Sequence, residues 1–308
     1  MLLRVNQAQP QSLVGLELQA DGIAVAVRVV KNQLPHITRL AFLPGEDEKQ
    51  RFVQLRDYVK QNKLKHKPCN LVLPQSRYQL YLLEAPDVPA AELANAMKWR
   101  LKDLVNQPLD QLAVDVFHVP NDGARGNRKM IYVVVVNKSY LQELIEYVQQ
   151  SDLKLLAIDI AELSLRNLAI HLIDPQFDQR GVAIARVRQG AGSVSIYRAG
   201  DMYLSRQFDL PYGGGLLDDL PAEALALELQ RSVDYYERQM GQLSPAVVYL
   251  GGENIVDEKI TDGLRKILSV PLQFLDFSGA VTLESEFDNG IMQLGLGALG
   301  AAMRQEFA

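Results

Sequence analysis

The chain is poor in the residues that build metal and disulfide sites. Among its 308 residues there is one cysteine, Cys69, so no internal disulfide can form, and such sparing use suits a reducing cytoplasm. The four histidines, His36, His66, His118 and His171, are scattered and have no second thiol beside them, which leaves no ligand spacing for zinc. No metal site is expected. Long apolar runs are missing too. The longest strongly apolar stretch, Met130 to Val136, is far too short to cross a bilayer, and Met1 to Val5 is too short for the core of a signal peptide. The expectation is a chain with no transmembrane segment that stays in the compartment where it is made. Finally, an excess of basic residues is lacking: the formal net charge is −5, which gives no general field for wrapping nucleic acid.

What is present is ordinary for a folded globular protein, 48% hydrophobic and 22% charged, in a chain longer than one typical core. Two lobes, or a large domain with an inserted module, are expected. Leu13 to Leu18 and Ile23 to Val30 read as strands around Asp21-Gly22, a dipeptide whose tolerance of positive φ favours a hairpin. His36 to Leu43 is a third strand. From Glu46 to Lys63, Phe52, Leu55 and Val59 recur at helical spacing, and Cys69 to Leu73 resumes as a strand. Three meandering strands, a crossover helix and a further strand describe an RNase H-like half. Arg77 to Gln150 then runs strand, helix, strand, strand, helix, with a polar loop at Asn121 to Arg128, and reads as a compact module of its own. Leu153 to Ile160 and a helix through His171 return to the first half, and Asp174-Pro175 breaks the chain. Gly181 to Arg188, Ser193 to Arg198 and Met202 to Leu210 echo the opening three strands, a repeat of architecture and not of sequence. A helix at Pro221 to Met240 carries Leu225, Leu229, Val233 and Tyr236 on one stripe. A strand ending in Gly251-Gly252, a helix from Asp257 to Leu268, a strand at "VPLQFLD" and a closing helix rich in small residues complete the pattern.

Four stretches, "VGLELQADGIAVAVRV", "GSVSIYRAGDMYLSRQFDLPYGGG", "LALELQRSVDYYERQ" and "AVVYLGGENIVDEKITDGLRKILSVPLQFLD", resemble in this order the actin-like type IV pilus assembly family typified by PilM. They resemble most closely its MshI-type branch, which serves mannose-sensitive haemagglutinin (MSHA) pili. The third stretch is the most specific. The resemblance implies an α/β actin-like fold of two RNase H-like lobes with an inserted small α+β (SHS2-like) module and a shortened 2B-type region. On this reading residues 1–76 and 151–175 form the first lobe, 77–150 the module, and 176–308 the second lobe, with the 2B region reduced to about 213–228.

Active members of the family carry Gly-x-Asp-x-Gly at the first phosphate hairpin. The carboxylate positions the metal, and the second glycine lets backbone N–H groups approach phosphate. The matching residues here are Gly15, Glu17 and Gln19, so the acid is longer and a glutamine fills the close-approach position. The second hairpin begins Asp-x-Gly in the family, and Arg186 and Arg188 stand there instead. Between Gly215 and Glu228 the family's helical wall of the adenosine cleft is reduced to a short linker, leaving Gly251 and Gly252 as the surviving part of the adenosine motif. The resemblance therefore implies a degenerate nucleotide cleft, no catalytic residues, no enzymatic activity and no cofactor. The alternative is an actin-type ATPase switch using ATP and magnesium, rebuilt around Glu17, Arg186 and Arg188.

The resemblance further implies a cytoplasmic scaffold that meets other pilus machine components and lies peripheral to the inner membrane through its partner. That partner is the amino-terminal cytoplasmic tail of a bitopic, PilN-like inner-membrane protein, held in a groove between the first lobe and the module. Leu93 and Met97 on the module helix, with Trp99 and Arg100 beside them, are the candidate peptide contacts. A third reading, the cytoplasmic part of a type II secretion assembly protein, shares the fold.

Overall fold

A computed structural model describes residues 10–123, 128–172, 179–277, 281–284 and 286–305. Asp174-Pro175 and part of the 121–128 loop fall outside them.

The first lobe begins with β1 (Ser12–Leu18), β2 (Gly22–Lys31) and β3 (Leu34–Pro44), an antiparallel meander. The β1–β2 turn closes through a hydrogen bond from Gln19 N to Gly22 O, without positive φ at either Asp21 or Gly22. The glycine is needed for a different reason: a Cβ on Gly22 would lie 2.4 Å from the Phe42 ring. Next come α1 (Glu48–Gln61), capped by the Asp47 side chain, and β4 (Pro68–Val72), parallel to β1.

The module contributes β5 (Tyr78–Glu84), α2 (Ala90–Arg100), β6 (Leu112–His118) and β7 (Met130–Asn137), with sheet order β5-β7-β6. Alternation along β7 divides its faces. Ile131, Val133 and Val135 lie under α2, while Tyr132, Val134 and Val136 turn toward the lobes. Then α3 (Lys138–Gln150) leads into β8 (Lys154–Asp159), which is parallel to β4, and α4 (Ala161–Leu172) follows. Assigning the whole of 77–150 to the module needs correction at its end. The apolar stripe of α3, Leu141, Leu144 and Val148, packs with Phe52, Leu55 and Val59 of α1, and Tyr147 stacks on Phe52. That helix covers the first lobe.

The second lobe repeats the plan with β9 (Val182–Arg188), β10 (Ala191–Arg198), β11 (Asp201–Asp209), α5 (Ala222–Arg238), β12 (Val248–Gly252), α6 (Asp262–Ile267) and β13 (Leu272–Phe274). Its sheet order, β11-β10-β9-β12-β13, matches β3-β2-β1-β4-β8 of the first lobe strand for strand. The expected stripe on α5 is buried in the shared core. The segment expected as one helix from Asp257 is a 3₁₀ turn followed by the shorter α6, which Thr261 caps.

The chain then crosses back. β14 (Thr282–Leu283) pairs with β3 of the first sheet, and α7 (Asn289–Leu294) and α8 (Leu296–Ala302) follow. The stretch "GIMQLGLGALGAAMR", residues 290–304, was expected as one closing helix within the second lobe. Instead the helix breaks at Gly295, and α8 lies on β1, β2, β4 and α4 of the first lobe. Its small residues permit that approach: a Cβ on Gly300 would lie 2.1 Å from the Ser164 carbonyl oxygen. Together, α4 and α8 fill the space between the two large sheets.

Candidate functional site

Strands β1 and β9, where the phosphate hairpins were expected, face one another across the lobes, and their side chains meet in an ion pair. Arg186 from β9 holds the Glu17 carboxylate of β1 with both terminal nitrogens, Nη1 on Oε1 and Nη2 on Oε2, the latter at 2.9 Å. Arg188 adds a donor to Oε1 at 3.1 Å. Gln19 donates to Oε2 at 2.9 Å, and the backbone N–H of Gly297 in α8 donates to the same oxygen at 3.2 Å. Glu17 and Arg186 are 3% and 5% exposed, so the pair sits in the dry interior. Burial alone pushes the Glu17 carboxyl up. The charges of Arg186 and Arg188, with hydrogen bonds from Arg186 and Gln19, outweigh it and hold the pKa below 4.5. Burial and the neighbouring Arg186 lower Arg188 to about 10, against the pull of Glu17, Glu253 and Asp21, which leaves it a cation at neutral pH.

Helices α7 and α8 close this site from the side. Gln19 Nε2 also donates to Leu294 O at 2.6 Å, Ser164 Oγ to Gly297 O at 2.6 Å, Asn167 Nδ2 to Gly300 O at 3.0 Å, and Asn70 Nδ2 to Ala301 O at 3.1 Å. Buried side chains of the first lobe thus satisfy the carbonyls of two short helices. Glycine is required at two contacts: a Cβ on Gly15 would lie 2.0 Å from Ala298 O, and one on Gly297 would lie 2.4 Å from the Glu17 carboxyl carbon.

The Gly251-Gly252 end, where the adenosine motif was expected, is filled in the same manner. Gly251 and Gly252 pair in register with Arg186 and Val187. Gly252 holds φ +131°, with Val187 O 2.0 Å from where a Cβ would be. Its N–H donates to Gln293 Oε1 at 2.8 Å, and Gln293 Nε2 donates to Leu275 O at 2.7 Å. Of residues 213–228, expected as the reduced wall, 213–221 form an irregular loop pinned by Lys259 on Gly215 O at 2.9 Å and by Asn254 on Gly214 O at 2.7 Å, and the rest are the first turns of α5.

All seven residues expected in the cleft therefore lie in one place. Chemically, the arrangement joins the lobes. A metal held by Glu17 would have to take a carboxylate already engaged by Arg186, Arg188, Gln19 and Gly297, and a phosphate would need room that the two arginine side chains occupy. Gln293, the donation from Gly297 N–H to Glu17, and the carbonyl-binding Ser164, Asn70 and Asn167 were not anticipated. For Gln293 and Gly297 the stretch "GIMQLGLGALGAAMR" offers only a density of small residues, whose expected meaning was close helix packing.

A second buried carboxylate, Glu162 at the start of α4, lies where both lobes and the module meet. Tyr78 OH donates to its Oε2 at 2.6 Å and Gln207 Nε2 to its Oε1 at 3.1 Å, while Tyr197 OH donates to its backbone oxygen at 2.7 Å. Burial raises its pKa despite these donors. The module also reaches the second lobe. Asp122 accepts from Arg198 and from Tyr203 OH, and Tyr132 OH accepts from Ser205 N at 2.9 Å.

The candidate peptide contacts separate. Leu93 and Met97 are buried with Leu101 beneath the module's own sheet, so they are core residues and unavailable to a peptide; the stripe they share faces Ile131, Val133 and Val135. Trp99 is 76% exposed, and Arg100 Nη1 donates to Glu84 O at 2.9 Å. A cavity of about 330 Å³ lies beside the module sheet and the start of α3, lined by Arg77, Tyr78, Gln79, Asn106, Gln107 and Tyr140 among others.

No protein-family model matches the sequence, and no curated protein matches it either. Solved structures do. The chain superimposes on the PilM–PilN type IV pilus biogenesis complex with a TM-score of 0.71 at 19% identity, covering 94% of this chain and 97% of that one. The cytoplasmic domain of EpsL, an inner-membrane component of the type II secretion system of Vibrio cholerae, gives 0.54 at 13% identity, with 96% of each chain covered. A protein of unknown function with an actin-like ATPase fold from Bacteroides thetaiotaomicron gives 0.52 at 12% identity, covering 85% and 90%. The fold is actin-like, as the sequence led one to expect. No helix among the described residues is long and apolar enough to cross a membrane.

Proposed function

We propose that this chain is a non-enzymatic scaffold of a type IV pilus assembly machine, of the MSHA type, lying on the cytoplasmic face of the inner membrane and gripping the cytoplasmic tail of a PilN-like bitopic protein. The observation that carries the reading is the Glu17–Arg186 pair. Where an actin-type ATPase keeps space and a free carboxylate for metal and triphosphate, this chain has a buried inter-lobe bond reinforced by Arg188, Gln19 and Gly297. A cleft filled by its own side chains suits a rigid holder, which needs neither nucleotide nor metal. Likeness to a structure titled as a PilM–PilN complex supports the class of partner. The cavity beside the module sheet and the start of α3 is the place we assign to the tail, with Arg77, Gln79, Asn106 and Gln107 offering hydrogen bonds to an extended backbone.

Two calorimetric titrations of the intact protein test this. A synthetic peptide of the cytoplasmic tail of the pilus operon's bitopic protein should bind, and Gln107→Ala with Arg77→Ala should weaken it. Magnesium-ATP should give no heat. Micromolar ATP binding that Glu17→Ala abolishes would restore the ATPase-switch reading, and a folded protein that ignores the peptide would remove the scaffold reading.

A further inference from the structure

Among the described residues the most exposed large aromatic side chain belongs to the chain's only tryptophan. Trp99 stands at the end of α2, 76% exposed, although burying an indole is strongly favourable and Leu93, Met97 and Leu101 of the same segment are all buried. Around it the chain reads Lys98-Trp99-Arg100-Leu101-Lys102-Asp103-Leu104: three cations and one acid in a protein of net charge −5. None of the three cations is in an ion pair among the described residues. Leu104, 46% exposed, places a second apolar side chain on the same tip.

From this surface we propose direct contact with an anionic lipid bilayer, with Trp99 and Leu104 entering the headgroup layer and Lys98, Arg100 and Lys102 facing the phosphates. Three features favour a membrane over a protein partner. The tip lies outside the neighbouring cavity, which is lined by Val105, Asn106 and Gln107 and not by Trp99 or Leu104. An indole flanked by cations is the residue set that settles at a bilayer interface, apolar ring inward and charge outward. The charge within residues 98–104 is also opposite in sign to that of the whole chain, as attraction to anionic headgroups requires. The inference rests on the proposed function at one point. The cavity assigned to the tail is lined by Val105, Asn106 and Gln107, which follow Leu104 directly in the chain.

Trp99 is its own reporter. Intrinsic fluorescence of the full chain, titrated with phosphatidylglycerol-rich vesicles, should shift to the blue as the indole leaves water, whereas pure phosphatidylcholine should give little. Raising the salt should reverse the shift as the charges are screened. Each neutralised cation should weaken partitioning about five-fold, so K98Q/R100Q/K102Q should lose on the order of 100-fold. Should that variant fold poorly, the salt series on the unaltered chain carries the same information. No shift with either vesicle, or equal shifts with both, overturns the proposal. A shift with the tail peptide alone also overturns it and makes Trp99 a protein contact. Peptide binding without a vesicle response sinks this inference and spares the scaffold reading, and a vesicle response without peptide binding does the reverse.

Discussion

Glu17→Gln isolates the charge of the inter-lobe bond. The amide retains an acceptor for the Gly297 N–H and nearly the same shape, but it leaves the Arg186 guanidinium, 5% exposed and with an Nε that already lacks a partner, without its counter-charge in the interior. Breaking a buried pair from one side costs about 3–5 kcal/mol, because an uncompensated charge stays behind, whereas an exposed pair is worth roughly 0–1 kcal/mol. Removing both charges, in Glu17→Gln with Arg186→Met, should recover most of the loss, since the desolvation cost disappears with the arginine. The assay is urea unfolding of the four proteins of the double-mutant cycle. Acid adds a second axis. The Glu17 pKa is lower folded than unfolded, so its contribution is complete above about 4.5 and drains away as pH falls through the lower, folded value. The unaltered chain should therefore lose stability below that pH, and Glu17→Gln should lose less. A single-variant cost under about 1 kcal/mol, or a double variant no better than the single, would mean that water reaches the pair and the lobes are not joined there.

Gly15→Ala should be among the most damaging single-methyl additions. The new carbon meets the Ala298 backbone oxygen at 2.0 Å, so α8 must lift off β1, at the upper end of the roughly 1–3 kcal/mol typical of overpacking; thermal unfolding reads it. Met97→Ala should destabilise the module by about 2–5 kcal/mol, as a core truncation does, while peptide binding by the remaining folded protein stays unchanged. A selective loss of binding would put Met97 back in the groove.

Much of the architecture was legible because each half writes it locally. Alternating strands around short turns, then an amphipathic helix, then an apolar strand, appear twice, and the two sheets came out with the same strand order. The abnormal cleft residues were legible one by one, since a glutamine or arginine in a glycine's place needs no fold to be noticed. That Glu17 and Arg186 bond to each other was not, because 169 residues separate them and neither position carries a mark of the other. Which lobe α3 packs against was hidden for a related reason. Its stripe of Leu141, Leu144 and Val148 announces a buried face without saying which neighbour buries it. Leu93 and Met97 show the same ambiguity, since an apolar stripe under a sheet and one awaiting a peptide have one spelling. β14 has two residues and is held by pairing with β3, so no periodicity could announce it.

The return of α8 to the first lobe bears on how the chain can be made. Gly15, Asn70 and Asn167 are translated early, yet the helix they receive includes Ala298, Gly300 and Ala301, and the link between Gly297 and Glu17 spans 280 residues. Domains generally mature in order from the amino terminus as they leave the ribosome. Here the earlier half emerges with a groove that only α8 can fill, so its completion waits until residues 296–302 have been made, and a product cut short before them would forfeit the packing of the first lobe as well.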